Sequence, residues 1–371
     1  MAEQEIYEKL AEHISKLCMG FPPRDDLIDI LKECFTPREA GVALALPNKV
    51  IPMQTAGVDE MVGKVDLSRE ELIDTLDTLV EKGLLFTRKT ESGERGYALL
   101  QVGFGFPQTF FWKGEDTPQG RKMAQMCAKY FNRKVTTEAF SSSGGTKPYR
   151  YIPVGKSIKP DKQTVLPYNT MEKVIEDAKR IGLAHCPCRM ALSLSGRGGG
   201  CDHPKEVCMK FNDLADFVIE RGLAREISKE EALEVIKKSE EAGLVHFVDN
   251  AEGEILHNCN CCGCACWNVG NIKRRKIPRD VIMATYFIRE TDEDACIGCG
   301  ACEEICPVDA VKVEEDIAVI DEEWCIGCGV CATVCPTDAL HMKLRDDRTE
   351  ALPAGTIKDL HEKILEEKGL K

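Results

Sequence analysis

One twelve-residue stretch of this chain occurs twice. Cys296-Ile297-Gly298-Cys299-Gly300-Ala301-Cys302-Glu303-Glu304-Ile305-Cys306-Pro307 returns as Cys325-Ile326-Gly327-Cys328-Gly329-Val330-Cys331-Ala332-Thr333-Val334-Cys335-Pro336, with every cysteine displaced by 29 residues. Both copies read C-x2-C-x2-C-x3-C-P. The chain holds 20 cysteines in 371 residues. Its start, Met1-Ala2-Glu3-Gln4-Glu5, is acidic and lacks the basic and apolar stretches of a secretory leader. The expectation is therefore a soluble, cytoplasmic protein with no membrane insertion, whose thiols stay reduced. Metal ligation is the economical use for them. Eight lie in 296–335 and nine in 186–266; only Cys18, Cys34 and Cys127 stand alone, as buried small hydrophobes.

The doubled motif resembles the bacterial-type ferredoxins, which carry two [4Fe–4S] clusters on about 55 residues. Three thiolates two residues apart wrap one face of a cubane, and the glycines let backbone N–H groups approach the sulfurs. The fourth cysteine turns away to the other cluster. The resemblance implies one cluster on Cys296, Cys299, Cys302 and Cys335, and a second on Cys325, Cys328, Cys331 and Cys306. Short strands are expected at 311–313, 317–319 and 340–344. Zinc sites do not need four cysteines at this spacing twice over. Between Glu290 and Leu340 stand fourteen acids against one base, Lys312, so this segment accounts for the chain's net charge of −13. Such a module is steered towards a redox partner protein with a basic docking surface. A solvated face explains the same charge, and the two readings are compatible.

Upstream lies a second cysteine cassette. It comprises His185-Cys186-Pro187-Cys188-Arg189, then Cys201-Asp202-His203 with Cys208, then His257-Asn258-Cys259-Asn260-Cys261-Cys262-Gly263-Cys264-Ala265-Cys266-Trp267. The nine thiols read as ligands of one or two further iron–sulfur clusters, with zinc as the alternative and redox thiols a third reading. C-x-C and Cys-Cys pairs dominate over zinc-type C-x2-C knuckles. The crowding of Cys259, Cys261, Cys262, Cys264 and Cys266 speaks against two pairs of ligands on one small ion. His185, His203 and His257 are candidate ligands or hydrogen-bond partners of ligands. Trp267 reads as a shield. Helical patterns frame the cassette. One helix is expected from Met171, capped by Asn169 and stopped at Gly182. A second runs to Gly222, and a third goes from Ser228 to Gly243, each stop being Gly-Leu. The cysteines would then lie in loops at helix ends.

Residues 1–105 follow a winged-helix pattern. Helices are expected at 37–46 and 57–62, then one from Ser68-x-x-Glu71 through Lys82, then a hairpin from 84–88 and 96–100 around Glu91-Ser92-Gly93-Glu94. The would-be recognition helix carries Glu70, Glu71, Asp74, Asp77 and Glu81 against Arg69 and Lys82, which a phosphate backbone repels. Docking or dimerisation is the stronger reading, and DNA is not an expected partner. Phe104, Phe106, Phe110, Phe111 and Trp112 read as core or interface. Ser141-Ser142-Ser143-Gly144-Gly145 reads as a loop. Gly155-Lys156-Ser157 lacks the first glycine of a phosphate loop, and Gly196-Arg197-Gly198-Gly199-Gly200 fails the dinucleotide fingerprint at Cys201. Lys273-Arg274-Arg275-Lys276 is either a solvated linker face or a dock for the acidic module.

These readings combine into an α+β multidomain chain: a winged-helix-like domain at 1–105, a connecting region at 106–168, a helical cysteine-rich cassette at 169–285, a dicluster ferredoxin-like domain at 286–345 and a helical tail at 346–371. Including its Cys-Pro-Cys-Arg start, the whole resembles uncharacterised 4Fe-4S dicluster proteins of anaerobic bacteria. That resemblance implies an electron-transfer subunit or accessory component of an anaerobic oxidoreductase. A redox-responsive transcription regulator, and a catalytic iron–sulfur reductase acting at the cassette, are the alternatives.

Overall fold

The computed structural model describes residues 3–90, 92–140, 145–158, 170–198, 200–348 and 353–371. Glu91, 141–144, Asn169 and Gly199, each part of a sequence expectation, lie outside the described residues. The chain is mixed helix and sheet. Its N-terminal part stacks helices Glu3–Ser15, Asp25–Cys34, Pro37–Ala45 and Arg69–Glu81 against strands β1 (Ala56–Gly57), β2 (Leu85–Lys89) and β3 (Arg95–Leu99), ordered β1-β3-β2. Thr36 and Ser68 each open a helix with a complete capping box, with Glu39 and Glu71 reaching back to the cap amides. The stretch 57–62, expected as a helix, is the end of β1 and a single 3-10 turn, Val58–Glu60. Pairing of Ala56 with Tyr97 and Gly57 with Gly96 takes its first residues into the sheet.

The cysteine-rich middle differs most from the sequence reading, because its centre is a sheet. After helices Pro118–Tyr130 and Arg133–Phe140 come β4 (Tyr149–Ile152), helix Met171–Asp177, β5 (Ile181–His185), helix Pro187–Leu194, β6 (Glu206–Phe211), helix Asn212–Glu220, β7 (Arg225–Glu226), helix Lys229–Glu241, β8 (Val245–Asp249), β9 (His257–Cys261), helices Val269–Arg275 and Arg279–Ile282, and β10 (Met283–Ala284). Among the described residues the seven strands form one sheet ordered β10-β4-β8-β9-β6-β5-β7, antiparallel except for β10 beside β4. The helix expected to reach Gly182 ends at Asp177 under a Thr170 cap, and Gly182 sits inside β5 opposite Lys210 and Glu226. The other two stops stand, with Gly222 at φ +61 and Gly243 at φ +70.

One face of this sheet packs Leu183, Met209 and Val248 against Val174, Ile175, Val235 and Ile236 of two helices. The other face, with Tyr149, Cys208, Phe247 and Cys261, belongs to a continuous core running from Ile6 to Leu365 across every expected boundary. Phe104, Phe106, Phe111 and Trp112 are buried in that core. At the C-terminal end β11 (Phe287–Thr291) pairs with β14 (Leu340–Leu344), and β12 (Val311–Glu314) with β13 (Ile317–Ile320). The last helix, Ile357–Glu367, returns to the N-terminal part: His361 Nδ1 lies 3.4 Å from Cys18 Sγ, and Lys368 Nζ donates to Cys18 O at 2.8 Å. Burial pushes the Cys18 thiol up to about 12 and those of Cys34 and Cys127 higher still, so all three act as small apolar groups. Among the described residues no helix is long and apolar enough to cross a membrane.

Candidate metal centres

In the C-terminal module, Cys296, Cys299, Cys302 and Cys335 line one cavity together with Ala318 and Leu340. Cys306, Cys325, Cys328 and Cys331 are buried, and each of Cys306, Cys328 and Cys331 feels the charge of others in this set. Each group takes three cysteines from one motif and its fourth from the other. The backbone makes this possible at two matching glycines. Gly298 has φ +59 and Gly327 φ +62, and an added Cβ would stand 2.5 Å from Asp316 O and 2.0 Å from Phe287 O. No side chain fits either the conformation or the space. Amides point at the sulfurs, Ala318 N at 3.5 Å from Cys296 Sγ and Ala310 N at 3.2 Å from Cys306 Sγ. Burial pushes the Cys335 thiol up, but the Thr337 and Ala339 amides outweigh it and hold the group low. Four convergent thiols with N–H groups aimed at them fit a [4Fe–4S] cubane. Arg289 is buried beside both groups. Burial raises the Cys302 thiol and takes Cys331 up to about 12, and the Arg289 guanidinium opposes both shifts.

The nine cassette thiols divide into six and three. Cys186, Cys188, Cys208, Cys259, Cys261 and Cys266 line an enclosed chamber under the core face of the large sheet. Period-two alternation produces its floor: β9 supplies His257, Cys259 and Cys261, and β6 supplies Cys208 and Lys210. Lys210 pairs with His257 across the ladder, and the same register sets Cys208 opposite Cys259. Cys186 precedes the helix Pro187–Leu194, with Pro187 at its first position and Cys188 in its first turn. The six thiols lie close enough to shift one another's acidity in succession, Cys186 with Cys188, Cys188 with Cys266, Cys266 with Cys261, Cys261 with Cys259 and Cys259 with Cys208. Cys266 Sγ and Cys261 Sγ are 3.1 Å apart.

The chamber's electrostatics split the thiols: Cys186, Cys259 and Cys266 are held below the usual range, while Cys188, Cys208 and Cys261 are pushed above it. Hydrogen bonds from Cys208 and Cys261 hold Cys259 well below the usual thiol range, and buried Lys210 adds to this. Lys210 Nζ donates to Cys208 Sγ at 3.2 Å and stands 5.0 Å from the Trp112 ring centre. Burial works against Cys266, yet Cys188, Cys261 and the Asn268 amide overcome it. His257 Nδ1 lies 3.1 Å from Asp249 Oδ1, and burial lowers the imidazole pKa. Tyr149 OH and Trp112 Nε1 face this chamber with no hydrogen-bond partner among the described residues. Trp267 closes one side, stacked on Phe131 at 5.2 Å.

Cys201, Cys262 and Cys264 gather elsewhere with His203, their ligand atoms all within 4.8 Å of one another. The crowded loop speaks against two pairs of ligands on one small ion, yet two of its thiols, Cys262 and Cys264, meet Cys201 and His203 at one point. Cys262 follows Cys261 and packs with the opposite side of the sheet, while Cys201-Asp202-His203 reaches in from another loop. His185 joins neither group; its amide donates to Trp112 O at 2.9 Å.

The two cysteine-bearing regions touch. Tyr151 is wholly buried and feels the charge of Cys266, Cys328 and Cys261 together. Val154 N donates to Cys328 O at 3.0 Å. The basic run divides its work. Lys273 Nζ is 2.7 Å from Asp309, and Lys276 Nζ stands 5.9 Å from the Trp324 ring centre, both partners lying in the acidic module. Arg274 donates to Gly263 O at 2.7 Å and Cys266 O at 3.1 Å, and Arg275 donates to Phe131 O. Lys210, Tyr151, Arg189 and Arg289 are the polar residues that sequence reasoning passed over. Only Lys210, two residues after Cys208, and Arg189, inside the Cys-Pro-Cys-Arg run, had a local signal.

Residues 289–342 match the family model of the 4Fe-4S dicluster domain. No curated protein and no solved structure matches the chain. The C-terminal module is a 4Fe-4S dicluster module, and the chain that carries it is an iron–sulfur protein with an electron-transfer role.

Proposed function

We propose that the chain is an electron-transfer subunit or accessory component of a cytoplasmic, anaerobic oxidoreductase. Two [4Fe–4S] clusters are held in the module, one by Cys296, Cys299, Cys302 and Cys335 and the other by Cys325, Cys328, Cys331 and Cys306. A third iron–sulfur centre is held in the chamber by thiolates drawn from Cys186, Cys188, Cys208, Cys259, Cys261 and Cys266. The acidic module receives a redox partner with a basic surface, and single electrons pass between it and the chamber. The winged-helix-like N-terminal domain docks protein and not DNA, since Glu70, Glu71, Asp74 and Glu81 are exposed on its fourth helix.

The observation that carries this reading is the close packing of the two cysteine regions: Val154 N donates to Cys328 O at 3.0 Å, and a Cβ on Gly263, between the chamber thiols Cys261 and Cys266, would stand 2.0 Å from Pro307 O beside Cys306. A chain that isolated its metal centres from each other would have no use for that packing. The test is a count of iron and acid-labile sulfide in anaerobically purified full-length protein. Two cubanes give about eight of each per chain and a third about twelve. A count near twelve that falls towards eight in Cys259→Ser supports the chamber centre; a count of eight unchanged by that substitution removes it.

A second reading has its own support. Lys210 and His257, the latter backed by Asp249, line the same chamber, which holds more thiols than one cubane uses. An iron with an open position there would reduce a small substrate. Added cyanide or carbon monoxide shifts the central EPR signal if that position exists and leaves it unchanged if it does not.

A further inference from the structure

The three cassette thiols outside the chamber meet one imidazole, and their separations are short. Cys264 Sγ lies 3.0 Å from Cys201 Sγ and 3.1 Å from Cys262 Sγ, and Cys201 and Cys262 are 3.6 Å apart. His203 Nδ1 is 3.5 Å from Cys201 Sγ and 3.7 Å from Cys264 Sγ. We propose that Cys201, His203, Cys262 and Cys264 bind a single tetrahedral zinc ion, distinct from every iron–sulfur centre of the chain.

Distance decides between one ion and a cluster. Four ligands about 2.0–2.3 Å from one zinc stand about 3.5–3.8 Å from each other, so the ion opens these edges by less than about 1 Å. A cubane spreads four thiolates over four separate irons, whereas this knot offers three thiols and one imidazole whose ligand atoms all lie within 4.8 Å of one another. The donor set agrees, because three cysteines and one histidine form a closed structural zinc site. Charge agrees as well. Three thiolates around a dication leave one negative charge, and the buried guanidinium of Arg189 lies beside Cys262.

Arg189 also ties together the two chain segments that supply the ligands. It donates to Pro204 O, next to His203, and to Asn260 O at 2.7 Å, two residues before Cys262. Cys201, His203 and Cys264 are half-buried, which leaves the ion a path from solvent. Zinc here staples the 201–204 loop to the end of β9. The loop leads directly into β6, whose ladder with β9, and that of β9 with β8, hold Cys208, Cys259 and Cys261 towards the chamber independently of the staple.

This inference stands apart from the iron–sulfur reading, and its test reports on each separately. Full-length protein, purified anaerobically, is analysed for zinc, iron and sulfide, with X-ray absorption at the zinc edge. The expected result is one zinc per chain with three sulfurs at about 2.3 Å and one nitrogen at about 2.0–2.1 Å. Cys264→Ser and His203→Ala should lose most of the zinc with iron and sulfide unchanged, and His203→Cys should retain it. Loss of about four irons and sulfides with Cys264→Ser would overturn the proposal, as would wild-type protein without zinc, a mononuclear iron in its place, or a Cys201–Cys264 disulfide. The absorption spectrum of the wild type decides even if a variant fails to fold.

Discussion

At the scale of single residues, the eight module cysteines were the most legible feature, because their spacing repeats and each position has one chemical use. Cys299 is exposed and stands only among the first group. Cys299→Ser should therefore weaken one cluster and leave most of the other, read as loss of about half of the module's EPR intensity with the residual signal unchanged in shape. Buried polar residues left no such mark. His361 stands on a tail helix, 343 positions from its neighbour Cys18, and no spacing rule connects them. Burial, with His257 and Lys368 nearby, lowers its pKa from 6.5 to about 3. A depressed folded-state value means that stability is full above the unfolded pKa and is lost as pH falls. Between pH 7 and pH 5 this residue should cost the fold about 2 kcal/mol, since the unfolded chain gains the proton and the folded chain does not. His361→Gln should remove that part of the slope in denaturation midpoints. Parallel pH profiles for the two proteins would mean that the imidazole titrates normally.

Elements were read well where a local signal closes them and badly where a distant strand defines them. The Thr36 and Ser68 boxes and the Gly222 and Gly243 stops are local, and helices begin or end there. Met171, Val174, Ile175, Ala178 and Ile181 fit a helical spacing, but Ile181–His185 is a strand, nearly all of it buried. A short apolar run buried on both faces carries no period that separates helix from strand. Its partners β6 and β7 lie tens of residues away in sequence. For the same reason the chamber was legible as a set of cysteines and not as a site: alternation along β6 and β9 chose which thiols face it. Contacts between elements are testable at glycines. An added Cβ at Gly263 would stand 2.0 Å from Pro307 O, in the backbone just past Cys306. Gly263→Ala should push the cassette loop off the module, lowering the thermal midpoint by several degrees and slowing electron exchange between module and chamber. A variant with wild-type midpoint and exchange would show that the two regions are not pressed together there.

For the whole molecule, charge separates the module from the rest. The net −13 arises in residues 290–340, while Lys273 and Lys276, in the linker, face Asp309 and Trp324 of the module. Lys273 pairs with one of the segment's fourteen acids, Asp309, which leaves most of the acidic field for the proposed partner. The rate of electron exchange with a basic redox protein should fall steeply as salt rises from about 10 mM to 150 mM, where the screening length drops from about 30 Å to 8 Å. A rate insensitive to salt would place docking on another surface. The sequence reads as a series of modules, whereas one core runs through all of them. Composition changes sharply along the chain, but apolar packing does not respect those changes, and no local pattern records that a tail helix returns to the first domain.

The account stands most directly on one measurement, an EPR-monitored reductive titration of the full-length protein prepared without oxygen. Three interacting paramagnetic centres should appear, two from the module and one from the chamber, with line broadening that reports their mutual proximity. Substituting Tyr151→Phe should leave all three in place, since the ring and its packing remain. A titration that develops only two centres, or three that do not interact, would contradict a continuous path from the ferredoxin module to the chamber.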